Sequence, residues 1–329
     1  YGGPELDALA SAIVVEELAY ADASVAVINS VQNSLCIDPI LHHGTEAQKE
    51  KWLPPMARGE CLNCFSLTEA DSGSDAGAMK CKAELKGDEW VINGTKLFVT
   101  TGAEANLIIL FVRTEEGKKR NASCLIVPKD TPGVEVGKHE DKLGIRGSST
   151  TELVFDNAKV PAENLLGERG VGLRVAMTAI DGGRLGIAAQ AIGIAQAALD
   201  KAIGYALERK QFGKTLSQFQ AIQWKVADMA TRIKASRALL YKACWAKDQK
   251  QHSLHLPAMV KVYAGETATY CANQAIQIFG GMGYCRESEV ERYLRDAKIT
   301  EIYEGTSEMQ RQTIGATLVK DPGRLSAVD

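Results

Sequence analysis

Residues 89–99 read EWVINGTKLFV, in which apolar and polar side chains alternate on both sides of an Asn-Gly pair. Such alternation is typical of half-buried β-strands, and Asn-Gly between two alternating runs predicts a tight hairpin turn at Asn93-Gly94. The segments before and after this region instead have the period of helices. The order α, then β, then α predicts an α+β fold. It argues against a dinucleotide-binding fold, in which strands and helices alternate.

The region before residue 62 is predicted to be helical. Its first amphipathic segment is ELDALASAIVVEELAYAD (5–22), and its last is TEAQKEKWLPPMARGE (45–60). In the second segment Thr45 and Gln48 have the spacing of a capping box, and we expect the two prolines to end the helix. We assign residues 1–61 to an N-terminal helical domain. We expect this domain to be incomplete, because the chain opens at Tyr1 without an initiator Met.

The middle of the chain, residues 62–168, continues the strand pattern. Four further short runs are separated by Gly, Pro and charged turns: NLIILFVRT (106–114), ASCLIVPK (122–129), GVEVGK (133–138) and TTELVFDNAKVP (150–161). These runs predict a small antiparallel barrel or sandwich. Residues 169–329 return to the helical period, with long helices expected at 171–210, 218–249 and 254–279. Their wide apolar faces predict a helical bundle.

Composition excludes several classes of protein. The net charge of −3 gives no electrostatic reason to expect binding to nucleic acid or to an anionic membrane surface. The most apolar run, residues 185–199, is too short to span a bilayer and contains two glutamines, so we expect a buried helix there. The eight cysteines are scattered, as in intracellular proteins with free thiols. Cys61 and Cys64 form a C-x-x-C pair without a second pair at zinc spacing, and no metal site is predicted.

The stretch TEIYEGTSEMQ (300–310) sets a carboxylate, Glu304, on a glycine turn just before a helical pattern. Ser307 and Gln310 have the spacing of a capping box, so we expect the helix to begin there. Helix N-termini offer unpaired N–H groups that suit developing oxyanions. A base beside such groups could remove a proton from carbon while they hold the resulting negative oxygen. The alternative is that Glu304 is an exposed turn residue.

Four other stretches could carry chemistry. CFSLTEADSGSDAGA (64–78) is rich in small and hydroxyl residues that can hydrogen-bond a ligand, or it is an ordinary loop at the sheet edge. In KLFVTTG (96–102), strand alternation would place Phe98 and Thr100 on one face, which suits a flat heteroaromatic ring. In IDGGRLG (180–186), Asp181 and Arg184 are three apart on one helical face, as in a ligand clamp or a partial salt bridge. ALERKQFGKTLSQFQ (206–220) and QIFGGMGY (277–284) combine donors with glycines that admit close approach.

Taken together and in order, these motifs resemble the acyl-CoA dehydrogenase family along essentially the whole chain. The motifs are CFSLTEADSGSD, KLFVTTG, KLGIRGSSTTELVFDNAKVP, DGGR, ERKQFGK, QIFGGMGY and YEGTSE. The chain is most similar to short- and medium-chain members. The resemblance implies an N-terminal helical domain, a middle antiparallel β-barrel domain and a C-terminal four-helix bundle. It also implies a homotetramer that binds FAD and an acyl-CoA and passes electrons to an electron-transfer flavoprotein.

The resemblance further implies roles for single residues. Glu304 matches the base that removes the α-proton of the thioester, and its main-chain N–H matches a donor to the thioester oxygen. The positions that match FAD-binding residues, some of them reaching a partner subunit, are Phe65, Ser66, Leu67, Thr68, Ser74, Phe98, Val99, Thr100, Arg209, Gln211, Phe212, Gln220, Gln277, Gly280, Gly281, Thr306 and Glu308. The positions that match substrate contacts are Ser74, Asp181, Arg184 and Gly305.

The chain departs from the family pattern at a few positions. Phe98 stands where many members have Trp, and Ala70-Asp71 replaces the commoner Pro-Gly pair. Two alternatives keep the fold: an acyl-CoA oxidase that passes electrons to O₂, and a catalytically silent member that acts as a binding or assembly subunit. We expect a cytoplasmic protein if the source is bacterial and a mitochondrial matrix protein if it is eukaryotic.

Overall fold

The computed structural model describes residues 1–114, 122–251, 253 and 255–320. The chain forms two compact units. The first comprises residues 1–5, 28–141 and 147–183, and the second comprises residues 6–27, 142–146 and 184–329. Within the described ranges, no helix is long and apolar enough to cross a membrane. The division of the chain at residues 61 and 168 stays a prediction.

The N-terminal region is helical, as its periodicity predicts. It contains α1 (Ala8–Ala21), α2 (Ala23–Ser30), a π-helical turn (Val31–Ile37), α3 (Asp38–His43) and α4 (Glu46–Ala57). The predicted capping box at the start of α4 is confirmed, because Thr45 and Gln48 each hydrogen-bond the other's backbone N–H with their side chains. The prediction that the prolines end this helix is wrong. Pro54 and Pro55 lie inside α4, which continues to Ala57.

One eight-stranded sheet forms the core of the first unit. Its strands are β1 (Asn63–Ser66), β2 (Lys82–Lys86), β3 (Glu89–Thr100), β4 (Leu107–Arg113), β5 (Ala122–Pro128), β6 (Val134–His139), β7 (Thr150–Pro161) and β8 (Leu165–Leu166). Their order is β6-β7-β3-β2-β4-β5-β8, with β1 paired to β4. Most pairs are antiparallel, whereas β1 and β2 each run parallel to β4. The strand predictions for residues 62–168 are thereby confirmed.

The hairpin predicted at Asn93-Gly94 is wrong. β3 runs without interruption through both residues and pairs with β7 on each side of them. The register between the two strands shifts between Ile92 and Gly94, so the glycine marks a β-bulge instead of a turn. Gly94 has φ +142°, and a Cβ there would lie 2.7 Å from the Cα of Cys81. The close approach of β2 therefore explains the glycine.

The second unit is helical. α5 spans Gly172–Glu208, and its residues from 184 onward belong to this unit. A short hairpin of β9 (Lys210–Gln211) and β10 (Lys214–Thr215) follows. The remaining helices are α6 (Gln220–Asp248), α7 (His255–Phe279), α8 (Val290–Ile299) and α9 (Ser307–Lys320). The three long helices predicted from periodicity are thereby confirmed. α7 packs against α6, α8 and α9, so its Ala-rich face is the centre of this unit.

Helix α1 packs closely on α5 because α5 has a glycine at the contact. A Cβ on Gly193 would lie 2.3 Å from the carbonyl oxygen of Glu16 and 2.8 Å from the Cβ of Ala19. Beside this contact, Arg237 of α6 donates to Glu16 at 2.6 and 2.8 Å and to Gln196 at 3.1 Å. Close packing and a charged network therefore both hold α1 on the bundle.

We expect Gly193→Ala to lower the free energy of unfolding by about 1–3 kcal/mol, since the added methyl group forces the two helices apart. Gly204 of the same helix is the matched control. A Cβ there meets nothing within 4 Å, so Gly204→Ala should raise stability by up to ~1 kcal/mol through helix propensity. Urea unfolding of both variants measures the difference. Equal changes in the two variants would contradict the close contact at Gly193.

Candidate active site

The predicted base, Glu304, lies on a left-handed turn between α8 and α9. Glu304 has φ +52° and Gly305 has φ +93°, so two successive residues adopt the conformation that side chains usually avoid. The helix that follows is capped one residue earlier than predicted. The Thr306 hydroxyl accepts the N–H of Met309 at 3.3 Å, and Thr306 is therefore the N-cap in place of Ser307.

Two buried side chains hydrogen-bond to the carbonyl groups of this turn. The carbonyl oxygen of Gly305 accepts from Lys261 Nζ at 2.7 Å and from Gln310 Nε2 at 2.9 Å. Gln310 also donates to the Glu304 carbonyl at 3.2 Å. Both Lys261 and Gln310 are fully buried. The strained turn is thus held by hydrogen bonds to its carbonyls, as strained functional turns require.

The residue before the base is also fixed. The Tyr303 hydroxyl donates to Gln190 Oε1 of α5, and Gln190 Nε2 donates in turn to the carbonyl of Ala23 at 2.8 Å. On α7, Gly265 lies one turn beyond Lys261 on the same face, and a Cβ there would be 3.1 Å from the Thr300 carbonyl. The glycine therefore lets α7 approach the segment that carries Glu304.

The carboxyl of Glu304 has an unusual environment. Its Oε2 is buried and has no hydrogen-bond partner among the described residues. Burial raises the pKa of Glu304 to about 8, and the positive charges of Lys261 and Arg184 oppose this rise. Arg184 lies near the turn, because a Cβ on Gly305 would be 3.8 Å from Arg184 Nη2. An exposed turn residue, the alternative interpretation of the sequence, would have neither this burial nor this pKa.

The raised pKa of Glu304 predicts a pH-dependent stability. A carboxyl that binds its proton more tightly in the folded state stabilises the fold below its unfolded pKa, near 4.5, and loses this contribution as pH rises toward 8. We therefore expect the stability of Glu304→Gln relative to the wild type to increase over this range. Glu308→Gln is the control, since hydrogen bonds lower the pKa of the exposed Glu308. Unfolding in urea across this pH range measures both trends, and a flat difference for Glu304→Gln would refute the expectation.

The first unit brings two of the predicted FAD-binding segments together. The segment Phe65–Thr68 and the segment Phe98–Thr100 are joined by a hydrogen bond from the N–H of Leu97 to the Thr68 carbonyl, at 2.8 Å. Beside it, Lys96 Nζ donates to the Leu67 carbonyl and to Glu69 Oε1, both at 2.8 Å. These bonds fix the loop after β1 on strand β3.

The end of β3 departs from simple alternation. A register shift between Lys96 and Val99 leaves both of these side chains buried, and Phe98 takes φ +55° in the bulge. The Phe98 ring is 61% exposed and Thr100 is half-buried, while Val99 between them is buried. Simple alternation therefore does not describe the end of β3, because the bulge interrupts it. Phe98 and Thr100 are nevertheless both more exposed than Val99 between them. An apolar ring held outward by a left-handed bulge suits a flat ligand.

The second unit groups further predicted residues at one end of the bundle. The rings of Tyr205 and Phe279 stack with centroids 4.1 Å apart, so the C-terminal ends of α5 and α7 meet. Gln277 lies in the last turn of α7, and Gln220 begins α6. The other predicted residues follow the ends of α5 and α7 and are Arg209, Gln211, Phe212, Gly280 and Gly281. Phe212 has φ +53° in the turn of the β9–β10 hairpin and is 94% exposed. A binding role for this exposed ring stays a proposal.

The remaining predicted residues are more scattered. Ser74 is exposed in the loop between β1 and β2, and Asp181 is half-buried in the first half of α5. Glu308 is exposed in the first turn of α9. The sequence reasoning missed Lys261, although a single lysine in the apolar stretch LPAMVKVYAG was a usable signal.

Comparison with known proteins shows the family. Three family models match in chain order: the acyl-CoA dehydrogenase N-terminal domain over residues 1–60, the middle domain over 64–158 and the C-terminal domain over 170–319. These matches cover well over half of the chain. The chain belongs to the acyl-CoA dehydrogenase family.

Individual relatives agree with the family models. The mouse mitochondrial short-chain specific acyl-CoA dehydrogenase is 49% identical over 319 residues, which are 97% of this chain and 77% of the relative. The butyryl-CoA dehydrogenase of Megasphaera elsdenii is 46% identical with a TM-score of 0.95, over 96% of this chain and 83% of that one. A chain from a structural study of the electron transferring flavoprotein of Acidaminococcus fermentans is 45% identical with a TM-score of 0.96, over 98% and 85%.

The family settles the enzyme class and the cofactor. The protein is an acyl-CoA dehydrogenase, an oxidoreductase that depends on FAD, and the predicted fold class is confirmed. The structure has features that fit this cofactor. Ser66 Oγ of β1 and Thr151 Oγ1, whose residue lies opposite Val99 in the β3–β7 pair, are buried without a hydrogen-bond partner among the described residues. The assignment of single residues to FAD or to substrate stays a proposal.

Proposed function

We propose that this enzyme dehydrogenates a short straight-chain acyl-CoA to the trans-2-enoyl-CoA, with Glu304 as the base. The observation that supports this most is the Glu304 carboxyl itself, with Oε2 buried, no partner for that atom among the described residues and a pKa raised to about 8. Such a carboxylate is a stronger base than an exposed one. A merely structural carboxylate would be expected to have its hydrogen bonds satisfied.

The ionised Glu304 takes the proton from the α-carbon of the thioester. As the Cα–H bond breaks, the β-hydrogen leaves with its electron pair and the Cα–Cβ double bond forms. When bound, FAD would accept this hydrogen together with its electron pair, as a hydride. The main-chain N–H of Glu304 donates to the thioester oxygen and stabilises the negative charge that develops there. The hydrogen bonds from Lys261 and Gln310 to the turn hold this N–H and the carboxyl in fixed positions.

Other residues of the chain would bind the cofactor and the substrate. The two joined segments around Thr68 and Phe98 present an aromatic ring, hydroxyls and backbone groups to the flavin. The glycines at the end of α7 leave open space in which a pyrophosphate can approach the backbone, since a Cβ on Gly280 or Gly281 meets nothing within 4 Å. Arg184 and Asp181 would contact the pantetheine arm or shape its entry.

The remaining proposals concern partners and location. Electrons pass to an electron-transfer flavoprotein, which is supported by the 45% identity to a chain from the Acidaminococcus fermentans study. The exposed Phe212 supports assembly into a homotetramer in which one subunit completes the cofactor site of the next. The protein is cytoplasmic in a bacterium or lies in the mitochondrial matrix of a eukaryote, since relatives of both origins match.

A substrate panel tests this function. The purified holoenzyme is mixed anaerobically with butyryl-, octanoyl-, isovaleryl-, glutaryl- and cyclohexanecarboxyl-CoA, and loss of the visible flavin absorbance is followed. We expect butyryl-CoA to bleach the flavin fastest and to yield the trans-2-enoyl product. Fastest bleaching by a branched, cyclic or dicarboxylic thioester would contradict the substrate class. Rapid peroxide formation in air without another acceptor would favour an oxidase.

A further inference from the structure

Helix α7 contains one charged side chain on its buried, largely apolar face. Lys261 is fully buried, among neighbours on α7 such as Ala258, Val260 and Ala264 that are also fully buried. An ammonium group in such a position is destabilising unless it is hydrogen-bonded and compensated by nearby negative charge. Its hydrogen bond goes to the carbonyl oxygen of Gly305, at 2.7 Å. The buried charge therefore points at the turn that carries the base.

We propose that Lys261 is a positioning residue for the reaction, which holds the Glu304–Gly305 turn in place and, in its protonated form, supplies a positive charge near the base. The inference rests on the proposed function, because it assumes that Glu304 removes the α-proton. Lys261 touches neither substrate nor the reacting atoms in this assignment. It acts through the backbone of the turn and through its electric field.

The effect of the Lys261 charge can be distinguished from the effect of its hydrogen bond, because a second side chain donates to the same carbonyl. The Gly305 carbonyl has two donors, the charged Lys261 and the neutral Gln310. A neutral donor already satisfies that oxygen, so hydrogen bonding alone does not require a lysine. Removing the lysine also leaves no orphaned carbonyl, and a methionine of similar length can fill the buried space. A variant at this position is therefore expected to fold.

The charged groups around the base come from three segments. Lys261 on α7 and Arg184 on α5 both favour the ionised form of Glu304, against its burial. Burial and the charge of Arg184 lower the pKa of Lys261 to about 8. The negative charges of Glu304, Glu301 and Glu308 act in the opposite direction and favour its protonated form. Tyr303 faces the same carboxyl, and burial raises its pKa far above the usual value, so it stays neutral.

Loss of the Lys261 charge should make the base harder to ionise. In Lys261→Met the acidic limb of the kcat/KM profile should move upward by ~1 pH unit, the lower end of what a nearby opposite charge contributes. At a pH below that limb, a move of this size corresponds to a fall in kcat/KM of about tenfold. A purely structural loss would instead lower activity equally at every pH.

Two further variants separate the charge from the hydrogen bond. Lys261→Gln keeps a possible donor and removes the charge, so its limb should move as in Lys261→Met. Gln310→Met removes the neutral donor to the same carbonyl and keeps the charge. It should lower kcat through a looser turn and leave the limb where it is in the wild type. All are assayed as holoenzyme with butyryl-CoA, with flavin content measured for each.

The outcomes distinguish this inference from the proposed function. An unmoved limb in both Lys261 variants, with Glu304→Gln inactive, overturns the role of Lys261 and leaves Glu304 as the base. An equal movement of the limb in Gln310→Met overturns it as well, because the charge would then not be the cause. If Glu304→Gln keeps wild-type turnover, the proposed base is wrong and the role of Lys261 falls with it. A movement confined to the two Lys261 variants supports the proposal.

Discussion

Glu304→Gln is expected to lose about 100-fold or more of turnover, which is the usual scale for removal of a general base. The amide has nearly the same shape as the carboxyl but cannot accept the α-proton. The turn is held through its carbonyls by Lys261 and Gln310, so the variant should keep its backbone conformation. We therefore expect kcat to fall while FAD content stays unchanged. Steady-state kinetics with butyryl-CoA measure this.

The matched control is Glu308→Gln, four residues further along the chain. Glu308 is exposed, and hydrogen bonds lower its pKa, so it lacks the properties of a base at neutral pH. Glu308 is also a predicted cofactor contact, so its substitution can reduce FAD content. With the rate expressed per bound flavin, Glu308→Gln should keep a kcat within a few-fold of the wild type. Equal losses in both variants would remove the special role of Glu304.

Lys96→Met is expected to lower the free energy of unfolding by about 3–5 kcal/mol, the usual effect of removing one partner of a buried ion pair. Lys96 is fully buried, and Glu69 opposite it is 8% exposed. Glu69 also accepts the backbone N–H groups of Lys80 at 2.6 Å and Cys81 at 3.0 Å. Without the lysine, this carboxylate remains buried with its charge uncompensated.

An exposed ion pair a few residues away is the control. Lys80 and Asp71 are 2.6 Å apart but about 70% exposed, so solvent screens the pair and Lys80→Met should leave stability almost unchanged. Lys96→Met should also weaken FAD binding, because Lys96 holds the Leu67 carbonyl in the loop that we assign to the flavin. Urea unfolding and flavin retention on dialysis measure the two effects. Similar stability losses for both lysines would contradict the assignment of a buried pair.

The fold could be predicted from the sequence where a local pattern also decides the packing. The long helices α5 to α7 and the strands of the first unit follow from hydrophobic period, because the same side chains that set the period form the core. The Asn-Gly pair misled, since the glycine is required by the close approach of Cys81, the residue directly before β2. A contact between distant residues cannot be read from a local turn signal. Pro54 and Pro55 also misled, because the helix continues through both residues to Ala57.

The candidate site was predictable only in part. Glu304 was found through its turn and through the family resemblance, but its burial and raised pKa depend on α5 and α7, which are far away in sequence. The hydrogen bonds of Lys261 and Gln310 to the turn were not predicted, because no sequence motif shows which carbonyl a buried side chain reaches. Gln310 was in fact placed in a capping box, whereas its side chain donates to the carbonyls of Glu304 and Gly305. Contacts of this kind, between residues that are distant in the sequence, can be identified only from the structure.

If Glu304 is the base, it removes the α-proton in the same half-reaction that reduces the flavin. The most direct test is the rate of flavin bleaching when butyryl-CoA and holoenzyme are mixed anaerobically, for the wild type and Glu304→Gln side by side. This half-reaction needs no electron acceptor, so it isolates the step in which the base acts. We predict rapid bleaching of the wild type and bleaching at least about 100-fold slower in a variant that binds FAD equally well. Bleaching at the same rate in both proteins would contradict the role of Glu304 as the base.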